Sequence, residues 1–203
     1  VPWAFDTRGL SNRADRYSSV PSRATLDGID VHYARYFRPP GAWFHRFAHL
    51  SMEAGLKHLL DDIFASNSPD IVHAHTVTPV GALALQVRRR FNTPVVVSMR
   101  GSDINLYPWR DAATLRLTRR VLHQADALLA VSGVLASVAR QLVGRSLEID
   151  VVRTGCDLDH FRPLPHHREA YRAQMGIRTD PVCLAHVGNL LATKGVLDLL
   201  GAF

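Results

Sequence analysis

Apolar positions along the chain change period several times. A short apolar run from Asp70 to His75 follows Pro69, and the run from Pro94 to Met99 is continuous, as in a strand buried on both faces. Between them Val80, Leu83, Ala84 and Val87 fall at i, i+3, i+4 and i+7, which predicts a helix over 80–91. The same reading gives a helix over 111–124, a strand over 127–131 and a strand over 149–153. Between those strands Leu135, Val138 and Leu142 form the inner face of another helix, with Ser132 as its expected N-cap. Strands alternating with helices of about 10–15 residues predict parallel βαβ units with right-handed crossovers.

The flanks are less regular. Residues 1–28 contain many Ser, Arg, Pro and Gly without a period and read as loop. Ile29 to Phe37 reads as a strand, broken by Pro39-Pro40-Gly41. A long helix is expected from about Trp43 to Ala65, with a stripe of Phe44, Phe47, Leu56, Leu59, Leu60 and Ile63. Beyond the sheet, 166–175 reads as a short helix and Val182 to Val187 as a fresh buried strand. Val196, Leu199, Leu200 and Phe203 open a helix with no stop signal.

Composition narrows the class. With 203 residues and 47% hydrophobic content, one domain or one and a half can bury a core, and 21% charge argues against disorder. The net charge of +6 and a pI near 9.9 suit anionic lipid, nucleotide phosphates or nucleic acid. No aromatic platform is interleaved with a basic run, so nucleic acid is not an expected partner. The two cysteines, Cys156 and Cys183, form no CxxC pair, which fits a reducing compartment; Cys156 is expected to be a small buried residue. His73 and His75 share a strand face, and His45 and His49 a helix face. Neither pair has an obvious third ligand, so no metal site is expected. No apolar run approaches the ~20 residues that cross a bilayer. The chain opens on Val1 rather than Met, which leaves a targeting segment open.

Five segments, in this order, resemble glycosyltransferase family 4, the retaining group with the GT-B fold. They are Pro69 to His75, Pro94 to Asp103, Ala125 to Ser132, Val152 to Pro163, and Val187-Gly188 with Lys194-Gly195. The resemblance implies an α/β fold with a Rossmann-like parallel sheet and helices on both faces, truncated at both ends. It places an acceptor-side N-terminal domain at 1–160, incomplete at its start. Residues 161–203 would be the interdomain connection and the first strand and helix of the donor-binding domain. The family's paired glutamates would lie beyond Phe203, so no catalytic residue is assigned and the fragment alone is expected to be inactive.

Residue by residue, the resemblance puts Gly188, Asn189, Lys194 and Arg100 on the donor side. Gly188 lets the backbone approach a phosphate, and Lys194 at the head of the next helix adds charge and reinforces its dipole. The family usually has Arg where Asn189 stands and often His where Arg100 stands; Arg100 is no base but can fork onto phosphate or a sugar hydroxyl. His75, Gly101, Asp103 and Gly155 are expected at the acceptor-side cleft, with Gly155 making a tight turn and Asp103 open to a turn-shaping role as well. The implied partners are a nucleotide-sugar donor and a glycan or lipid-linked acceptor, with no cofactor. A cytoplasmic location is expected. Peripheral attachment to an anionic inner membrane face is suggested by Tyr36, Phe37, Trp43, Phe44 and Phe47 among Arg35, Arg38 and Arg46. Two other readings fit the same fold: a nucleotide-sugar epimerase, and a non-catalytic carbohydrate- or lipid-binding module supported by the departures at Asn189 and Arg100.

Overall fold

The computed structural model describes residues 20–37, 47–144, 146–178 and 180–203. Residues 1–19, and Arg38, Trp43, Phe44, His45 and Arg46 of the expected aromatic-basic segment, lie outside the described residues. The chain packs as two units, one up to Thr154 and one from Gly155 on.

The first unit opens with a hairpin that the sequence reading lacked. Strands β1 (Arg23–Leu26) and β2 (Ile29–His32) pair antiparallel with Leu26 opposite Ile29. The two residues between them, Asp27 and Gly28, have φ of 50° and 80°. Positive φ at both positions is the type I′ turn that Asp-Gly favours, because its twist matches that of the strands. The expected strand over 29–37 therefore ends at His32, and residues 23–26 are strand rather than loop.

A long helix, α1 (Ala48–Ser66), follows. It packs on α2 (Ala82–Phe91), where the Phe64 and Phe91 rings stack 3.9 Å apart and Arg90 pairs with Asp61.

The centre is a parallel sheet in the order β3 (Val72–His75), β4 (Val95–Met99), β5 (Ala127–Ala130), β6 (Asp150–Val151). The connections carry α2, the one-turn α3 (Ser102–Asn105), α4 (Ala112–Gln124) and α5 (Gly133–Val143). Each strand lies parallel beside its predecessor, and the connecting helices pack against the sheet. Ala74, Val95, Val97, Met99, Leu128 and Ala130 meet Leu85, Val121, Leu122, Leu135, Ala136 and Leu142 there in one core. This is the expected Rossmann-like α/β class. Strand residues alternate between faces, so His73, His75 and Ser98 point away from that core.

Local chemistry fixes the element ends. Asp111 caps α4 by accepting from the backbone of Ala113 (2.9 Å) and Thr114 (2.8 Å), and Ser132 caps α5 through Leu135 N–H (3.2 Å). Asp126 accepts from Val95 N–H (2.9 Å) at the amino end of β4 and pairs with Arg88 (2.7 Å).

The second unit holds α6 (Arg168–Gln174) and α7 (Val196–Ala202). Arg172 is buried, and its guanidinium donates to the carbonyls of Arg178 (2.8 Å) and Pro181 (2.6 Å). The buried strand expected over 182–187 is not formed: the segment is irregular and Val187 is 97% exposed. A strand is held by a ladder to a neighbour, and no described residue pairs with this run. Cys156, expected to be buried, is exposed, as is Cys183; neither forms a disulfide.

Candidate functional site

The carboxyl edge of the sheet gathers the chemistry of the first unit. His75 lies opposite Ser98 in the β3–β4 ladder, so Thr76 and Arg100 leave the sheet at the same edge. This is the edge at which open α/β sheets bind ligands. His73 Nε2 and Ser98 Oγ share a hydrogen bond of 2.7 Å, and the rings of His73 and His75 lie 4.2 Å apart. Partial burial, then the positive charges of His75 and Arg100, hold the His73 pKa below its ordinary value. Arg100 itself is exposed. The arrangement is an open basic edge suited to hydroxyl and phosphate oxygens.

Asp103 sits beneath it. The residue is 1% exposed and its carboxylate accepts from Gly101 N–H (2.8 Å), Arg100 N–H (3.1 Å) and Val77 N–H (2.9 Å). It thus ties the loop after β3 to the loop after β4. The next residue, Ile104, anchors α3 in the core.

The loop after β3 is unusual. A single wide turn, Val77–Gly81, leads into α2, and the Thr78–Pro79 bond is cis. Thr76 has φ 144° and ψ 149°, a region essentially restricted to glycine and costing about 1–3 kcal/mol elsewhere. Thr78 is buried, and its hydroxyl has no hydrogen-bond partner among the described residues.

Of the expected site residues, the structure brings Arg100, Gly101, Asp103 and His75 to this edge. Gly155 opens the second unit, exposed and without a turn at that position. Gly188, Asn189 and Lys194 lie in the second unit, all exposed. Lys194 ends the turn Ala192–Lys194 and precedes α7 by one residue, Gly195. Sequence reasoning missed Thr76, Thr78 and Ser98. The run Thr76-Val77-Thr78-Pro79 directly after a strand was a turn signal for the first two. Among the described residues no group of three or more His, Cys, Asp or Glu is arranged to hold a metal ion. None of their helices is long and apolar enough to cross a membrane.

A Rossmann-like sheet with this edge is the frame of a GT-B protein of the glycosyltransferase type. Residues 7–155 match the glycosyl transferase 4-like domain, and the chain belongs to that family. It is similar to a putative teichuronic acid biosynthesis glycosyltransferase, TuaC, of Bacillus subtilis (strain 168). The two are 31% identical over 131 residues, 64% of this chain and 33% of that protein. A glycogen synthase of Mycobacterium tuberculosis (strain H37Rv) is 27% identical over 179 residues, 85% of this chain and 41% of that protein. The chain therefore spans less than half the length of these relatives. A sucrose-phosphate synthase structure from Thermosynechococcus elongatus superimposes with a TM-score of 0.73 over 91% of this chain and 46% of that one; at 17% identity the likeness is of fold.

Proposed function

We propose that the chain is part of a retaining glycosyltransferase that moves a hexose from a nucleotide-sugar donor to a glycan or lipid-linked acceptor. In this reading the unit up to Thr154 is the acceptor-side domain, and the residues after it begin the donor-binding domain. The observation that carries the reading is the carboxyl edge at which His75 ends β3 and Arg100 follows β4, within a domain of this family. Sugar transfer leaves a diphosphate with new negative charge, which fixed donors and cations stabilise. Arg100 offers a fork to donor oxygens from the first unit. Lys194, with Gly188 and Asn189, serves the departing diphosphate from the second. Within the first unit, His75 and Gly101 line the acceptor side; Gly155 is the first residue after that unit.

The location proposed is cytoplasmic, at the inner face of an anionic membrane. Phe37 and Phe47 support it, at 50% and 44% exposed. Arg35 is less free to contribute, since its guanidinium donates to the Val20 carbonyl (2.9 Å). Co-sedimentation of the full-length protein with anionic but not neutral vesicles, weakened by salt, is expected. Equal recovery with both vesicle types would remove the membrane from the proposal.

The transfer itself is tested by incubating the full-length protein with uridine and guanosine diphosphate sugars and an acceptor panel, then reading the anomeric configuration of the product by NMR. Retention of the donor configuration is expected; inversion would overturn the proposed mechanism.

A further inference from the structure

We propose that Asp103 is a positioning residue: its buried carboxylate sets the placement of His75 and Arg100 by holding the two loops that follow their strands. Burying a carboxylate is costly unless donors surround it, and here three backbone N–H groups do. They come from both loops. Val77 lies two residues beyond His75, and Arg100 and Gly101 follow β4 directly.

The residue between His75 and the bonded Val77 is Thr76, in backbone space essentially restricted to glycine. Such a conformation persists only when its surroundings over-determine it. Two hydrogen bonds do so: Val77 N–H to Asp103 on one side, and Gly81 N–H to the Thr76 carbonyl (3.0 Å) on the other. Weakening the first lets Thr76 relax, and His75 moves with it. Arg100 loses its hold at the same time, because the same carboxylate binds its N–H.

Asp126 provides a comparison. Its carboxylate also accepts from a backbone amide, Val95 N–H, and pairs with Arg88, but it is exposed and lies at the amino end of β4. An ordinary structural brace lost there lowers stability without moving the carboxyl edge.

The catalytic part of the test rests on the glycosyltransferase reading; the spectroscopic part does not. In full-length protein labelled with 15N at His and Arg, Asp103→Asn is expected to shift or broaden the His75 and Arg100 amide signals, while Asp126→Asn leaves them in place. Per folded molecule, Asp103→Asn should lower kcat by about 10²-fold, the scale of a small misplacement of reacting groups, with a smaller change in KM. In an Arg100→Ala background the further loss should be much smaller. If Asp103→Asn does not fold, Asp103→Glu serves instead: it keeps a carboxylate but displaces it by one methylene from the Val77, Arg100 and Gly101 N–H groups, and should still shift the His75 and Arg100 signals. Unmoved His75 and Arg100 signals in the folded variant overturn the proposal, as does a turnover equal to that of Asp126→Asn. If the wild type transfers no sugar, the functional reading fails and the amide signals alone decide the role of Asp103.

Discussion

The fold holds the His73 imidazole below its ordinary pKa. Burial and the neighbouring charges of His75 and Arg100 favour its neutral form. The unfolded chain therefore takes up this proton at a higher pH than the folded one. Where the unfolded state binds more protons, stability falls as pH falls. The loss begins near the unperturbed value of about 6.5 and continues down to the depressed folded pKa. Thermal unfolding of wild type should weaken across that window, and His73→Gln should flatten this part of the profile. A steeper slope in the variant would contradict the assignment. At the neighbouring loop, Thr78→Val replaces a buried hydroxyl that lacks a partner among the described residues with a methyl group. An unsatisfied buried group costs about 1–3 kcal/mol, so chemical denaturation should show the variant equal to or more stable than wild type. A clear loss would mean that the hydroxyl is bonded. The sequence pointed to His75 and Arg100 because both stand at the end of an apolar strand. It did not show the bond from Asp103 to Val77, which spans 26 residues and depends on the two loops meeting. Nor did it show the strain at Thr76, since threonine carries no signal for positive φ.

At the scale of elements, α1 offers a direct test of packing against propensity. A Cβ at Gly55 would stand 2.1 Å from the Arg35 carbonyl oxygen. Helix propensity alone favours alanine by about 1 kcal/mol. Overpacking costs about 1–3 kcal/mol, and a rigid backbone oxygen cannot rotate aside, so Gly55→Ala should destabilise. A raised melting temperature would show that α1 does not approach the 33–37 segment this closely. Apart from the one-turn α3, the strands and helices between residues 70 and 151 were legible because their apolar spacing is set by the core they build. The β1–β2 hairpin was not, because its residues are mostly exposed and carry little period. Its second strand was legible from Ile29 on, and the Asp27-Gly28 turn was the signal for its first. The run Val182 to Val187 misled for the opposite reason: its apolar character was strong, but a pattern cannot supply the partner that a strand needs.

For the whole molecule, the two units carry different parts of the proposed chemistry: an acceptor-side edge up to Thr154, and Gly188, Asn189 and Lys194 after it. The 203-residue chain by itself is expected to bind uridine and guanosine diphosphate sugars weakly in calorimetric titration. Micromolar binding would show that these residues suffice for the donor and would revise the division of labour. Sugar transfer is measured as acceptor-dependent release of nucleoside diphosphate by the full-length protein and its Lys194→Ala variant. Transfer by the wild type is expected, with a loss of roughly 10²–10³-fold in turnover for the variant, the scale of removing one fixed group from a developing negative charge. Absence of transfer with every donor, or turnover in Lys194→Ala equal to wild type, would contradict this expectation.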